Sequence, residues 1–172
     1  VFTLLKSNIS VLVPFSWDRT FDDWDRILHF GYRPWGLLQP LFGYWPVTLL
    51  INFNYNLWFI LMNVFWVYYA FLANPGVERT RYYLSFMVTW MVGGGLLAVY
   101  FSSAGPCYYG RLGFSPDPYA GLMTYLRQAN EVMPIWALGT QDMLWAYRLE
   151  NSAFGGVSAM PSMHNATALL FI

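Results

Sequence analysis

A chain of 172 residues that is 57% hydrophobic and 21% aromatic but only 10% charged is composed to be solvated by lipid rather than by water. Lys and Arg balance Asp and Glu at a formal net charge of zero, which leaves no basic patch for a nucleic-acid partner. The single cysteine, Cys107, closes no disulfide within the chain and reads as a small packed residue.

Residues 1–15 are apolar apart from Lys6 and a few polar side chains, too short and interrupted to span a bilayer, and suit the end of an earlier helix or an interfacial segment. Residues 16–33 carry the densest acidity of the chain in Asp18, Asp22, Asp23 and Asp25. Trp17, Phe21, Trp24 and Leu28 recur at spacings of three and four, so an amphipathic helix is expected on the membrane surface with its carboxylates in water. No further ligand there completes a metal site. No charge occurs from residue 34 to 77; Pro40 and Pro46 interrupt the first part, making residues 36–44 a short interfacial or re-entrant piece.

Residues 51–71 form an apolar run long enough to cross the hydrocarbon core, at about 1.5 Å per helical residue. Asn52, Asn56 and Asn63 fall on one stripe, which should face protein and serve hydrogen bonding between helices rather than a substrate head group. Ala73-Asn74-Pro75-Gly76 is a turn signal with a charged exit in Glu78, Arg79 and Arg81. A second span is expected at 82–101, where Gly94, Ala98 and Ser102 make a small-residue seam for another helix. The long polar region 103–159 holds two expected helices, one started by Ser115-Pro116-Asp117-Pro118 and one capped by Thr140, with Asp142 complementing the dipole of the latter.

Gly155-Gly156-Val157-Ser158-Ala159-Met160-Pro161-Ser162-Met163-His164 reads as a flexible lead-in to a helix, and apolar residues to Ile172 begin a third span at 162–172. First-turn amides and the Ser162 hydroxyl can hold a phosphate, and His164, titrating near neutrality, can bind it as a cation or pass a proton. The bland alternative is a helix cap beside an ordinary histidine. The fold class is all-α: a partial polytopic membrane helix bundle with an interfacial amphipathic helix and a long helical extracytoplasmic loop. Arg79 and Arg81 crowd the short loop and favour it as cytoplasmic, which turns the Ser162 and His164 end outward, to the extracytoplasmic or lumenal side.

Pro161-Ser162-Met163-His164 in this lead-in resembles the Pro-Ser-x-His signature of the type 2 phosphatidic acid phosphatase superfamily. The longer Gly-Gly-Val-Ser-Ala-Met-Pro-Ser-Met-His run is similar to that of its inositol phosphorylceramide synthase branch. Weaker similarity runs through residues 25–35, residues 55–58 and Ala104-Gly105-Pro106-Cys107-Tyr108-Tyr109. The resemblance implies a six-helix membrane core and a phosphohistidine intermediate, with phosphorylated lipid as substrate, hydrolysed or used to transfer its head group, and neither cofactor nor metal. It assigns His164 to protonating the leaving group and a later Arg, His and Asp motif to supplying the nucleophile.

That later motif does not occur in these 172 residues, and His29, the other histidine, lies in the surface helix. The chain therefore reads as a fragment, starting without Met, and as inactive alone. Arg26 and Arg33-Pro34 have the spacing of the family's first motif with Arg in place of Lys, but two spans separate them from Pro-Ser-x-His. Arg111 occupies the corresponding place in chain order, which makes Ser162 and Arg111 the expected phosphate ligands. A non-catalytic membrane protein that binds lipid or a partner is the alternative, and oligomeric state stays open.

Overall fold

The computed structural model describes Ile9, residues 13–150 and residues 156–171. Most of the segment 1–15, and Gly155 of the motif, lie outside the described residues. Among the described residues the elements are all helical: α1 (Asp18–Leu28), α2 (Pro34–Phe42), α3 (Trp45–Leu72), α4 (Val77–Tyr100), α5 (Ala120–Val132), α6 (Trp136–Leu149) and α7 (Met163–Ala168), the last continued by a 3-10 turn at Leu169–Phe171.

Helices α3 and α4, of 28 and 24 residues, are each long and apolar enough to cross a bilayer. Both begin earlier than their apolar runs. Pro46 lies in the first turn of α3, where its missing N–H would have had no intrahelical acceptor, so it opens the helix instead of breaking it. Glu78 lies in the first turn of α4, where its charge complements the dipole, and the Arg79 guanidinium donates to the Ala70 carbonyl at 3.0 Å, tying the two helices across their turn.

The glycines of α4 loosen it into π-helical turns over Thr89–Leu97. Gly94, Gly95, Ala98 and Ser102 are buried, forming the small-residue seam, and α7 packs against this stretch. A Cβ at Gly93 would stand 3.4 Å from the Met163 sulfur. The asparagine stripe of α3 divides. Asn52 is buried and donates to the Pro134 carbonyl at 3.4 Å, Thr48 shares a 2.7 Å hydrogen bond with the Tyr125 hydroxyl, and Asn56 donates to the Asn52 carbonyl at 2.6 Å. Asn63 is exposed, contrary to expectation, and donates to the Phe59 carbonyl of its own helix at 2.8 Å. The reason is local: a carbonyl one turn back satisfies the amide without a neighbouring helix.

Helices α5 and α6 form a corner around Ala129, Ile135 and Leu138. Thr140 is inside α6 rather than its cap; its hydroxyl donates to the Trp136 carbonyl at 3.2 Å, and Asn130 closes the corner by accepting from the Ile135 N–H at 2.8 Å. The carboxylates of α1 also depart from expectation. Asp23 is exposed, whereas Asp18 and Asp22 are 5% and 6% exposed, because each satisfies donors that would otherwise be buried alone. Trp17, Phe21 and Trp24 cluster with one another, and Trp17 and Phe21 also lie against Phe101 at the end of α4, with centroids 5.1 and 5.9 Å away. Leu28 is left on the outside.

Asp22 accepts a forked pair of hydrogen bonds from Arg33 at 2.6 and 2.7 Å and a third from the Tyr119 hydroxyl at 2.9 Å. It thereby joins α1, the start of α2 and the approach to α5. The Arg33 hydrogen bonds hold its pKa below the ordinary carboxylate value, against the effect of burial. A depressed folded-state pKa contributes stability that is present above the unfolded pKa and lost as pH falls through the folded one. Asp22→Asn should therefore cost about 1.5–3 kcal/mol at neutral pH, by the scale of hydrogen bonds to charged groups. Thermal unfolding of the detergent-solubilised protein should show a lower midpoint for the variant at pH 7, with the gap to wild type closing only as pH falls below the usual carboxylate range.

Candidate active site

The site is built on the turn that follows α4. Residues 102–105 are strung between two other segments by backbone hydrogen bonds. On one side Ser16 and Trp17 N–H groups donate to the Ser102 carbonyl at 3.2 and 3.3 Å, and the Ser102 hydroxyl donates to the Val13 carbonyl at 2.9 Å. The Asp18 carboxylate accepts from the Ala104 and Gly105 N–H groups at 3.0 and 2.7 Å. On the other side the Ala159 N–H donates to the Ser103 carbonyl at 3.0 Å, docking the lead-in to the Pro-Ser-Met-His segment. Burial raises the Asp18 pKa, and the two N–H groups act against that rise.

Gly105 makes this docking possible. Its φ of 93° and ψ of 171° belong to a region essentially reserved for glycine, and a Cβ would lie 2.7 Å from the Ala159 methyl. The Pro106–Tyr108 turn follows, its Tyr108 hydroxyl donating to the Gln141 carbonyl of α6 at 2.9 Å. These segments enclose one side of a cavity of about 510 Å³. Tyr55, Trp58 and Phe59 of α3 and Trp90 of α4 line the other side, and Ser162 and His164 lie on its wall. Larger hollows, of about 770 and 660 Å³, lie against α5 and α6 and at the α2–α3 corner, without any motif residue; chemistry rather than size selects the smaller cavity.

Ser162 caps α7, its hydroxyl oxygen accepting from the Asn165 N–H at 3.4 Å. His164, in the first turn, has its imidazole stacked on Tyr55 (centroids 4.4 Å, planes 21° apart), tilted against Trp58 (4.1 Å, 37°) and edge-on to Phe59 (5.6 Å). Trp58 is itself fixed by an indole N–H donated to the Thr167 hydroxyl at 3.0 Å. Cys107 also lines the cavity; burial pushes its thiol up to about 11, which keeps it a thiol rather than a thiolate nucleophile at neutral pH.

The structure brings Ser162 and His164 together in this way and leaves Arg111 outside the cavity lining. Arg111 lies on the Gly110–Leu112 turn, paired with Asp142, its guanidinium 5.9 Å from the ring centroids of Tyr108 and Trp145. Arg127 approaches the same carboxylate at 3.5 Å. Arg33 is committed to Asp22, which separates the Arg26 and Arg33-Pro34 spacing from the cavity. His29 Nδ1 lies 2.7 Å from the Asp25 carbonyl, within its own helix. Among the described residues no group of three or more His, Cys, Asp or Glu side chains could hold a metal ion.

Sequence reasoning missed the aromatic bracket around His164. Its signal is the spacing of Tyr55, Trp58 and Phe59, which share one helical face, but aromatics are spread through α3 and the spacing alone does not single these three out. A glycine-dependent turn and a Pro-Ser-x-His helix start lining one cavity is a specific arrangement, and residues 19–172 match the PAP2 superfamily. The chain belongs to that superfamily. No curated protein and no solved structure matches it significantly. As a PAP2 member with two helices able to cross a bilayer, it is an integral membrane protein of a phosphatase-type superfamily.

The turn offers an internal comparison of two glycines. Gly113 has a φ of 79° with nothing within 4 Å of where a Cβ would stand, so Gly113→Ala meets only left-handed backbone strain, about 1 kcal/mol. Gly105→Ala meets strain and the Ala159 methyl together and should cost ~3 kcal/mol or more. Unfolding midpoints of the two variants check this; equal losses would mean that the Ala104 and Gly105 turn does not hold the motif lead-in.

Proposed function

We propose that this protein is a membrane-embedded lipid phosphatase or phosphotransferase, of the inositol phosphorylceramide synthase-like branch, working through a phosphohistidine intermediate. The observation that carries the reading is the shared cavity wall of Ser162 and His164, with the imidazole bracketed by aromatic rings. Phosphoryl transfer needs donors on the phosphate oxygens, an in-line nucleophile and an acid for the departing oxygen. Ser162 supplies a hydroxyl, and Arg111, paired with Asp142 and 5.9 Å from the ring of Tyr108 in the lining, is the second phosphate ligand of this reading.

His164 is the acid. A second histidine, from the family's later motif, attacks phosphorus as the bond to the lipid oxygen breaks, and that oxygen takes its proton from the His164 ring. Water then attacks the phosphohistidine in a phosphatase, or an acceptor hydroxyl does so in a transferase. No metal or cofactor enters these steps. The cavity faces the extracytoplasmic or lumenal side: Arg79 and Arg81 gather at the α3–α4 turn and favour the cytoplasm, while residues 104–108 of the cavity follow the opposite end of α4.

The experiment uses the full-length protein and two substrates that differ in leaving group. An alkoxide, as from phosphatidic acid, needs protonation, whereas the phenoxide of p-nitrophenyl phosphate needs little. His164→Ala should lose about 10²–10⁴-fold in kcat/KM on phosphatidic acid, the usual worth of general acid catalysis, and much less on the aryl ester. After correction for folded protein, equal losses on both substrates would contradict the general-acid role and favour a phosphate-binding or capping histidine.

A further inference from the structure

Thr167 lies one turn beyond His164 and is wholly buried, a location where an unpartnered hydroxyl would be costly. It is fully used. Its Oγ1 donates to the Met163 carbonyl at 2.6 Å and accepts the Trp58 indole N–H at 3.0 Å, so that α7 grips a side chain of α3. The indole held in this way stands 4.1 Å from the His164 ring, with the planes 37° apart. Tyr55 and Phe59, the other two rings against His164, are 43% and 46% exposed, whereas Trp58 is half-buried and its rotation is set by a directional bond.

A general acid must present its N–H to the departing oxygen at hydrogen-bonding distance and angle. The terminal torsion of a histidine side chain is broad, and ring contacts by themselves do not select one setting of it. A neighbouring ring locked in one orientation does. We propose that Trp58 is a positioning residue for His164, held by Thr167, and that this pair sets the tilt of the imidazole toward the leaving oxygen. The inference rests on the reading of His164 as the proton donor.

Three variants of the full-length protein test it. Thr167→Val preserves shape and removes the acceptor, Trp58→Phe keeps a ring and removes the N–H, and Thr167→Ser keeps the hydroxyl. Each is assayed on dioleoyl phosphatidic acid in detergent micelles and on p-nitrophenyl phosphate, with rates corrected for folded protein. Small misplacements of catalytic groups are expensive, so Thr167→Val and Trp58→Phe should lower kcat on phosphatidic acid on the order of 10-fold or more, with KM little changed. Both should lose far less on the aryl ester, and Thr167→Ser should stay close to wild type on both. The inference is overturned if Thr167→Val and Trp58→Phe depress the two substrates equally while His164→Ala remains selective, since the bond would then serve packing alone. If His164→Ala itself is unselective, the proton-donor reading fails first and the positioning role falls with it.

Discussion

The Asp18 carboxylate is the constraint on which the site depends. It is 5% exposed, where an anion is poorly solvated, yet it accepts the N–H groups of Ala104 and Gly105, two donors that the turn after α4 leaves without helical partners. The turn so held offers the Ser103 carbonyl to Ala159, and through that bond it sets where the chain enters α7. Ser162 and His164 follow directly. A surface-helix acid thus controls the position of a histidine that is distant in sequence, through backbone atoms rather than through side-chain contact.

The membrane helices supply the complementary half. The glycines of α4 let α7 approach closely, which brings His164 against the α3 face that carries Tyr55, Trp58 and Phe59. Small residues are what permit close helix approach where lipid provides no hydrophobic drive for association. Charges are handled differently on the two sides of this arrangement. Asp22 with Arg33, and Asp142 with Arg111 and Arg127, are paired on the polar elements around the bundle, while α3 from Trp45 to Leu72 contains no Asp, Glu, Lys or Arg at all. His164 therefore meets aromatic faces rather than a carboxylate on its α3 side.

Much of this was legible in the sequence, for identifiable reasons. Uninterrupted apolar length marks a spanning helix whatever its neighbours, so both long helices were expected, and a Pro-Ser-x-His helix start after two glycines offered Ser162 and His164 as candidates, which the fold sets on one cavity wall. Helix beginnings were misread because proline and charge look like interruptions in a hydropathy pattern, although the first turn of a helix tolerates both, as Pro46 and Glu78 do. The burial of Asp18 and Asp22 was missed for another reason. Amphipathic periodicity separates two faces of α1 but does not say that the polar face meets unsatisfied backbone donors and Tyr119 instead of water. The aromatic bracket was hidden by abundance, since rings are common all around α3. Arg111 follows the second span as expected, and its guanidinium is turned to Asp142, a pairing that chain order does not reveal.

The proposed reaction requires phosphate to be held in the cavity of Ser162 and His164. The most direct measurement is an experimental structure of the full-length protein with orthovanadate, a phosphate and transition-state analogue, bound. Vanadate is expected in this cavity, with oxygens about 3 Å from the Ser162 hydroxyl and from a ring nitrogen of His164. Vanadate bound at Arg26 and Arg33, with the cavity between α3 and α7 unoccupied, would contradict it.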